Sequence, residues 1–386
     1  MINPIYEDTL MAGWVVLILL GVCMLFSQVP RKPEYKVYNR SRLLTAAAMM
    51  VFGAQLLLHW IFFFRIHTPY VATALNLTGF HIEAILFSMS QVSLLNNRYI
   101  CKRQLRRDLT VLSLTLLTAW PSALLLEDNA QRAVMILSAL IFLSHAVYIT
   151  FIFFHTYRRA MRWMDNYYSD NVEAFVNWMR HSTFGFICYS MPGALLAFCP
   201  QTYNTVYMIV IICLFTYIYI SFQNYIINYV EVENVVADVT ETEEKAETGV
   251  AKEQEANECK EADSATAEKA LPPTDTQQDI QKKIETWIAD GAYRQKGITI
   301  DSLIKLLRTN RTYVSNFINT TYKCNFREWI TTLRMEYAKG QLVDHPEKTI
   351  ELIAEEAGFS SSSYFCQQFT KREGMTPTVW RNQERA

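Results

Sequence analysis

The 386-residue sequence has few charged residues, and those it has are unevenly distributed. Asp, Glu, Lys and Arg make up 19% of the chain, against 51% hydrophobic residues. Residues 1–230 are apolar and aromatic, whereas residues 231–386 are polar, so the net charge of −1 describes neither region. A chain of this length and composition is expected to form two or three domains of different character.

The sequence also lacks the patterns of common catalytic and metal sites. None of its eight cysteines forms a CxxC pair, and no Cys/His cluster has the spacing of a zinc site. It contains neither an HExxH motif nor a serine-centred GxSxG motif. We therefore predict a protein that is not an enzyme, with no catalytic residues, no metal and no cofactor.

The N-terminus, MINPIYEDTL, lacks the basic segment that precedes the apolar core of a signal peptide. Acidic residues come before the first apolar run instead. This order disfavours a cleavable signal peptide and favours a retained first helix.

Seven apolar runs have about the length that a membrane helix needs, roughly 17–25 residues. The sixth is the weakest because it is short and is interrupted by Pro192-Gly193, although membrane helices tolerate both residue types. The runs predict a seven-helix membrane bundle within residues 1–230, with spans near 10–27, 43–64, 71–95, 109–126, 132–155, 182–199 and 204–228.

The basic residues between these runs predict the orientation of the bundle. The links after the first, third and fifth runs carry 14 Lys and Arg residues, whereas the opposite side carries two. Basic loops favour the cytoplasm. We expect a multi-pass protein of the bacterial inner membrane, with its N-terminus outside and everything after Tyr229 in the cytoplasm. Six or eight spans would place the C-terminal region outside.

Ionisable residues at membrane depth are candidate functional groups. His81 and Glu83 lie two residues apart in the third run, so they point to different faces of a helix. We nominate both as candidate sensor residues, with hydrogen bonding between helices as the structural alternative. The signal itself, a small molecule, the lipid bilayer or a partner membrane protein, is not identified by the sequence.

Residues 231–275 have the composition of a flexible acidic linker. They contain 14 Asp and Glu against four Lys, followed by the helix-stopping sequence LPPTDT. As a random coil, about 45 residues would span roughly 35–40 Å. The linker predicts separate domains at 1–230 and 276–386.

The region 276–386 contains two predicted helix-turn-helix units. In the first, Thr299 caps IDSLIKLLR and a break at Thr309-Asn310 precedes RTYVSNFINTTY. In the second, TIELIAEEAG ends at Gly358, where a positive φ is expected, and SSSSYFCQQFTKREG follows. The long helix FREWITTLRMEYAKGQLVD separates them. The apolar positions predicted to anchor the second helix of each unit are Val314, Phe317 and Ile318 in the first, and Tyr364, Phe365 and Phe369 in the second. Two such units on one chain fit successive major-groove faces about 34 Å apart, so one domain suffices for one asymmetric site.

The exposed residues of the second helix of each unit are the candidate DNA contacts. Arginine suits guanine and asparagine or glutamine suits adenine by two-point hydrogen bonding. The candidates are Asn310, Arg311, Thr312, Ser315, Asn316, Asn319, Ser361, Ser362, Ser363, Cys366, Gln367, Lys371, Arg372 and Arg381.

Residues 276–384 resemble the DNA-binding domain of AraC/XylS-type transcription regulators. The resemblance rests on Phe326-x-x-Trp329-Ile330-x-x-Leu333-Arg334 and, more specifically, on IAEEAGFSSSSYFCQQFTKREGMTPTVWR at 353–381. It implies small helices, promoter DNA as the partner, and activation through RNA polymerase. Thr370 and Trp380 depart from residues common in the family. The apolar N-terminal region departs further, so the ligands of the family are not carried over.

These expectations combine into an all-α protein with a membrane bundle, a disordered acidic linker and an AraC-type domain. The first hypothesis is a one-component sensor and transcription regulator whose membrane domain detects a signal. The alternative is a membrane-anchored DNA-binding protein whose bundle only tethers or docks to a partner membrane protein. An enzyme or transporter fused to a regulator is disfavoured by the missing motifs.

Overall fold

The computed structural model describes residues 4–169, 173–193, 201–230, 232–233, 236, 274–309 and 311–384. Within these ranges the chain is helical and forms no β-strand, only an isolated antiparallel bridge between Tyr168 and Thr299. The predicted all-α fold class is confirmed. The chain divides into two compact units, residues 1–160 with 175–242, and residues 161–174 with 243–386.

The first unit contains long apolar helices joined by short links. Six of the helices in the described ranges are long and apolar enough to cross a membrane, by length and composition. The helices are α1 (Pro4–Phe26), α2 (Lys36–Phe62), the short α3 (Phe64–His67), α4 (Pro69–Leu95), α5 (Lys102–Leu125), α6 (Asp128–Tyr167), α7 (Glu173–Gly193) and α8 (Gln201–Tyr225).

The predicted sixth span corresponds to α7, which is not among these six helices. Its predicted last part, residues 194–199, lies outside the described residues. The number of spans therefore stays a prediction. Helix α6 differs most from its predicted range of 132–155, because it continues for 40 residues, to Tyr167. Its C-terminal end, from Met161, belongs to the second unit.

Glycines allow α1 and α2 to pack closely. A Cβ at Gly53 would lie 2.8 Å from Ile18 Cγ1, and a Cβ at Gly21 would lie 2.7 Å from Met50 Cγ. Small residues at helix crossings are typical of packing in membranes, where close backbone approach replaces the hydrophobic driving force. Helix α4 is the central helix of the unit, since most of its side chains are buried.

The second unit contains the two predicted helix-turn-helix units. The first consists of α10 (Ile300–Leu307) and α11 (Arg311–Tyr322), and the second of α13 (Ile350–Glu356) and α14 (Ser362–Glu373). The remaining helices are α9 (Thr274–Ala289), the long α12 (Phe326–Asp344) and the terminal α15 (Pro377–Glu384). The predicted linker, 231–275, lies almost entirely outside the described residues.

Local side-chain chemistry sets the helix ends of this unit. The predicted cap at Thr299 is confirmed, because its side chain accepts a hydrogen bond from the amide of Ser302. Gly358 adopts the predicted positive φ of 87°, and a Cβ there would lie 2.1 Å from the carbonyl oxygen of Arg294. The turn of the first helix-turn-helix unit also contains a residue with left-handed backbone conformation, but there it is an arginine, Arg308, with φ 52°.

The hydrophobic core follows the predicted helix faces. Phe365, Phe369 and Ile353 are fully buried in one cluster with residues of α12, and Trp380 packs against its edge. In the first helix-turn-helix unit, Val314 and Ile318 are fully buried, whereas Phe317 is only half-buried. Trp329 stacks on Tyr322, with ring centroids 5.1 Å apart. Helix α12 thus supports both helix-turn-helix units.

Candidate functional site

The second helix of each helix-turn-helix unit, α11 or α14, is its predicted recognition helix. Helix α14 presents a polar face to solvent. Ser363 and Gln367 are exposed, while Ser362 and Cys366 are half-buried. Ser361 is the N-cap, because its hydroxyl oxygen accepts a hydrogen bond from the amide of Tyr364 at 3.2 Å. That hydroxyl keeps its own proton for donation to another acceptor. The face therefore offers uncharged hydrogen-bonding groups on a helix whose opposite face is packed in the hydrophobic core.

Basic candidates lie at the end of the same helix and beyond it. Lys371 and Arg372 are exposed, and Arg372 Nη1 donates to Thr332 Oγ1 at 2.8 Å. Arg381 instead donates to the backbone carbonyls of Pro346 and Lys348, at 3.3 and 3.0 Å. Arg381 therefore joins the last helix to the loop before α13, and its predicted DNA contact stays a prediction.

The first recognition helix, α11, has a mixed face. Asn316 and Asn319 are exposed, and Ser315 is half-buried. Asn310 lies outside the described residues, as does the side chain of Thr312. The exposed amides are three residues apart, so they are neighbours on one face of the helix.

Arg311 at the start of α11 is held by other side chains of the unit. Its Nη2 lies 2.8 Å from Asp301 Oδ1, and its guanidinium carbon lies 4.8 Å from the centre of the Tyr167 ring. Tyr167 Oη donates to the other Asp301 oxygen at 2.7 Å. Partial burial alone would raise the pKa of Asp301, but the hydrogen bonds from Tyr167 and Arg311 outweigh it and lower that pKa.

Tyr167 belongs to a segment, residues 161–169, that packs against the helix-turn-helix domain within the second unit. Asp165 forms an ion pair of 2.6 Å with Arg327, which also hydrogen-bonds Tyr364 Oη. The Ser169 amide donates to the carbonyl of Ile298 at 3.0 Å. We call residues 161–169 the docking segment.

The docking segment also meets a buried arginine. Arg334 is 1% exposed and donates to the carbonyls of Tyr293 and Gln295, at 3.0 and 2.7 Å, as well as to Ser169 Oγ at 3.3 Å. Sequence reasoning missed the docking segment because its partners lie more than a hundred residues away along the chain. The one available signal was the run of polar and aromatic residues, WMDNYYSD, after the fifth apolar run.

The two nominated sensor residues lie in separate polar networks of the first unit, which confirms that they face different directions. His81 is buried, and its Nε2 lies 2.7 Å from His145 Nδ1. His145 Nε2 lies 3.2 Å from Asp108, whose carboxylate also pairs with Arg107 at 2.8 Å. A continuous chain of hydrogen bonds thus joins α4, α6 and the start of α5.

Glu83 points away from this chain. It is fully buried and accepts a 2.5 Å hydrogen bond from Tyr189 of α7, while its second carboxylate oxygen has no hydrogen-bond partner. Nearby, a cavity of about 30 Å³ lies between α4, α6 and α7 and is lined by Gln91 and Thr183. Ligand pockets for drug-sized molecules occupy about 300–1,000 Å³, so this cavity fits only groups of water size.

Among the residues that the structure describes, no group of three or more His, Cys, Asp or Glu side chains could hold a metal ion.

Comparison with known proteins identifies the C-terminal domain. A family model described as a helix-turn-helix domain matches residues 303–383. The virulence regulon transcriptional activator VirF of Yersinia enterocolitica is 42% identical over 67 residues, which cover 17% of this chain and 24% of VirF. The melibiose operon regulatory protein of Escherichia coli is 30% identical over 86 residues, covering 22% and 28% of the two chains.

A solved structure, the C-terminal domain of AraT, a response regulator from Geobacillus stearothermophilus, is 29% identical and has a TM-score of 0.23. The match covers 28% of this chain and 81% of the AraT domain. The chain spans between 11% and 35% of the length of the first curated relatives it matches. Together with the two helix-turn-helix units, the family model and the curated relatives show that the C-terminal domain is a DNA-binding domain of the AraC type.

Proposed function

We propose that the protein is a membrane-embedded transcription regulator that binds promoter DNA and responds to a signal through its N-terminal helices. The AraC-type domain supports the regulatory part, as do its relatives, which include a transcriptional activator and an operon regulatory protein. The six long apolar helices support the membrane part. In this proposal the first unit lies in a bacterial inner membrane, the C-terminal domain lies in the cytoplasm, and RNA polymerase is the partner at the promoter.

Sequence reading falls to the exposed amides of the two recognition helices. Asn316 on α11 and Gln367 on α14 are both exposed. An Asn or Gln side chain forms two hydrogen bonds with the major-groove edge of adenine, worth about 1–3 kcal/mol of discrimination. The basic residues at the helix ends serve phosphate, which positions the domain without reading sequence.

The contacts between the docking segment and the helix-turn-helix domain are the observation that supports the proposed response to a signal. Its first residues are the end of α6, the helix that also carries His145 of the buried polar chain. A change in the polar chain and a change at Tyr167 therefore act on one continuous helix. An element whose two arrangements are biased by both sites is a physical basis for coupling between them.

The ion pairs of the docking segment and its neighbours indicate whether docking strengthens or weakens DNA binding. Arg311 pairs with Asp301 beside Tyr167, and Arg327 pairs with Asp165. A guanidinium that is engaged by a carboxylate has fewer donors to give to a DNA phosphate or a guanine. We infer that the docked segment lowers DNA affinity at the first helix-turn-helix unit, and that the signal releases it.

A reversible disulfide tests the inferred direction. Tyr168 and Thr299 form an isolated antiparallel bridge, so the Tyr168→Cys/Thr299→Cys pair should cross-link readily in the full-length protein. The oxidised protein should bind a target promoter fragment at least about tenfold more weakly than the same protein after reduction, since one recognition helix is withheld. Fluorescence anisotropy in nanodiscs measures both states.

Both redox forms of the double-cysteine protein lack the Thr299 cap, so a difference between them reports the cross-link and not the loss of the cap. Asp165→Asn with Tyr167→Ala should tighten DNA binding, whereas Arg162→Gln, an exposed charge on the same turn, should leave it unchanged. Failure of the disulfide to form would show that the segment does not dock. Equal DNA affinity of the oxidised and reduced proteins would show that docking does not compete with DNA.

The tether alternative makes a different prediction. If the bundle only anchors the domain or docks to a partner membrane protein, the full-length protein should occupy and activate its promoters to the same extent as residues 276–386 expressed alone, with no dependence on a signal. If the docking segment regulates binding, the full-length protein without a signal should occupy them less than residues 276–386 do. Genome-wide occupancy of the tagged full-length protein identifies those promoters. Asn316→Ala/Gln367→Ala should abolish the discrete peaks, and Glu336→Ala, an exposed change on α12, should keep them.

A further inference from the structure

A basic cavity lies at the junction of α1 and α2 in the first unit. Its volume is about 640 Å³, within the range of ligand sites in proteins. Four cationic side chains line it, and no acidic side chain does. The cations are Arg31, Lys32, Lys36 and Arg42.

Arg42 distinguishes this cavity from an ordinary basic loop. It is 7% exposed, and its guanidinium donates to the backbone carbonyl of Ser27. Its Nε has no hydrogen-bond partner, and no carboxylate of the described residues pairs with it. A buried charge without a counter-charge is costly, and the cost falls when an anion is bound.

The backbone adds to the same field. Helix α2 begins at Lys36, and neither it nor the short 3₁₀ turn Pro33–Tyr35 before it has a side-chain cap. Free amides at a helix N-terminus and the helix dipole attract anions. Tyr35 and Asn39 also line the cavity and supply polar groups that donate hydrogen bonds.

We propose that this cavity binds a phosphate group, with Arg42 as its buried partner and Arg31, Lys32 and Lys36 at its rim. Phosphate matches the site because guanidinium binds its oxygens in pairs and several cations share its charge. The group belongs either to a phospholipid headgroup or to a soluble phosphorylated molecule. Basic pockets between membrane helices bind lipid headgroups in this manner.

Two probes distinguish these sources. In neutral detergent, inorganic phosphate and glycerol phosphate should raise the melting temperature of the full-length protein if the ligand is soluble. Native mass spectrometry after exchange from phosphatidylglycerol nanodiscs should show a retained phospholipid if the ligand is a lipid. In either case Arg42→Gln should reduce binding at least about tenfold, the usual effect of losing a charged partner.

The control is Arg103→Gln, which removes an exposed charge at the start of α5 and should bind as the wild type does. Arg42→Gln should also melt at a higher temperature than the wild type when no phosphate is present, because it removes an uncompensated buried charge. A purely structural arginine would give the opposite shift. If Arg42→Gln does not fold, Lys32→Gln/Lys36→Gln at the exposed rim replaces it, with weaker binding expected. Absence of both the phosphate-induced shift and the retained lipid in the wild type would overturn the proposal.

Discussion

The two helix-turn-helix units of the C-terminal domain share a plan but differ in how their recognition helices are held. Helix α14 rests on fully buried Phe365 and Phe369 and keeps its polar face open. Helix α11 rests on Val314 and Ile318, and its first residue, Arg311, is engaged by Asp301 and Tyr167.

This difference indicates that α14 is suited to binding and α11 to regulation of binding. A helix with a closed core and an open face is suited to constant contact with DNA. A helix with a shallower core and an engaged arginine is suited to a contact that can be withheld. The docking segment contacts the first helix-turn-helix unit at Asp301 and, just before it, at Ile298 and Thr299. Its Asp165 also pairs with Arg327 of α12, which hydrogen-bonds Tyr364 of the second helix-turn-helix unit. The predictions below test this comparison, from the largest effect to the smallest.

Removal of the anchoring rings should affect the two units unequally. Phe365→Ala should destabilise the domain by about 3–5 kcal/mol, the usual cost of a large cavity in a core. Phe317→Ala, at a half-buried position, should cost only about 1–2 kcal/mol. Urea unfolding of the full-length protein, with protease cleavage of the C-terminal domain as the readout, measures both. Equal losses would show that the first core is as closed as the second.

The turns should respond in opposite directions. Gly358→Ala should destabilise by about 2–4 kcal/mol, because its Cβ would meet the Arg294 carbonyl and its φ is positive. Arg308→Gly should stabilise by about 0.5–1 kcal/mol, because it relieves a left-handed residue. The same unfolding assay measures both changes. Destabilisation by Arg308→Gly would mean that the arginine side chain has an additional stabilising contact.

The open face of α14 should dominate affinity. Gln367→Ala should weaken binding to a cognate promoter by about 1–3 kcal/mol and relax preference at one base pair. Asn316→Ala should have a smaller effect in the wild type than in the Asp165→Asn/Tyr167→Ala background, where α11 is released. Competition binding with base-substituted promoters measures this dependence. Identical effects in both backgrounds would contradict the docking mechanism.

The docked contact should be insensitive to physiological pH. The lowered pKa of Asp301 means that its pairing is complete above its usual pKa of about 4 and is lost only as the pH falls through the lower value. The protection of the Ser169 amide against hydrogen exchange should therefore be constant from about pH 8 to 6, after correction for the intrinsic rate. A loss of protection in that range would assign the contact to a different titrating group.

Local patterns in the sequence predicted the helices of the C-terminal domain well. Apolar spacing located Val314, Ile318 and Phe365 in the core, and turn chemistry located the cap at Thr299 and the positive φ at Gly358. These features depend on neighbours within one or two helical turns. The half-buried state of Phe317 was not predicted, because it depends on packing between helices.

Long-range partners could not be predicted. His81 was nominated as an ionisable group at membrane depth, but its chain to His145 and Asp108 requires three helices to meet. The end of α6 at Tyr167, well past the apolar run, was missed because amphipathic residues continue a helix without adding hydrophobicity. The pairing of Arg311 with Asp301 and Tyr167 likewise joins residues that periodicity treats separately.

A hydroxyl-radical footprint of the full-length protein on its promoter tests the central claim most directly. Without a signal, the wild type should protect the backbone that flanks one major-groove segment, the one read by α14. Asp165→Asn/Tyr167→Ala should protect two segments about 34 Å, or one helical turn, apart. Protection of both segments by the resting wild type, unchanged in the variant, would contradict the proposal that the docking segment withholds the first recognition helix.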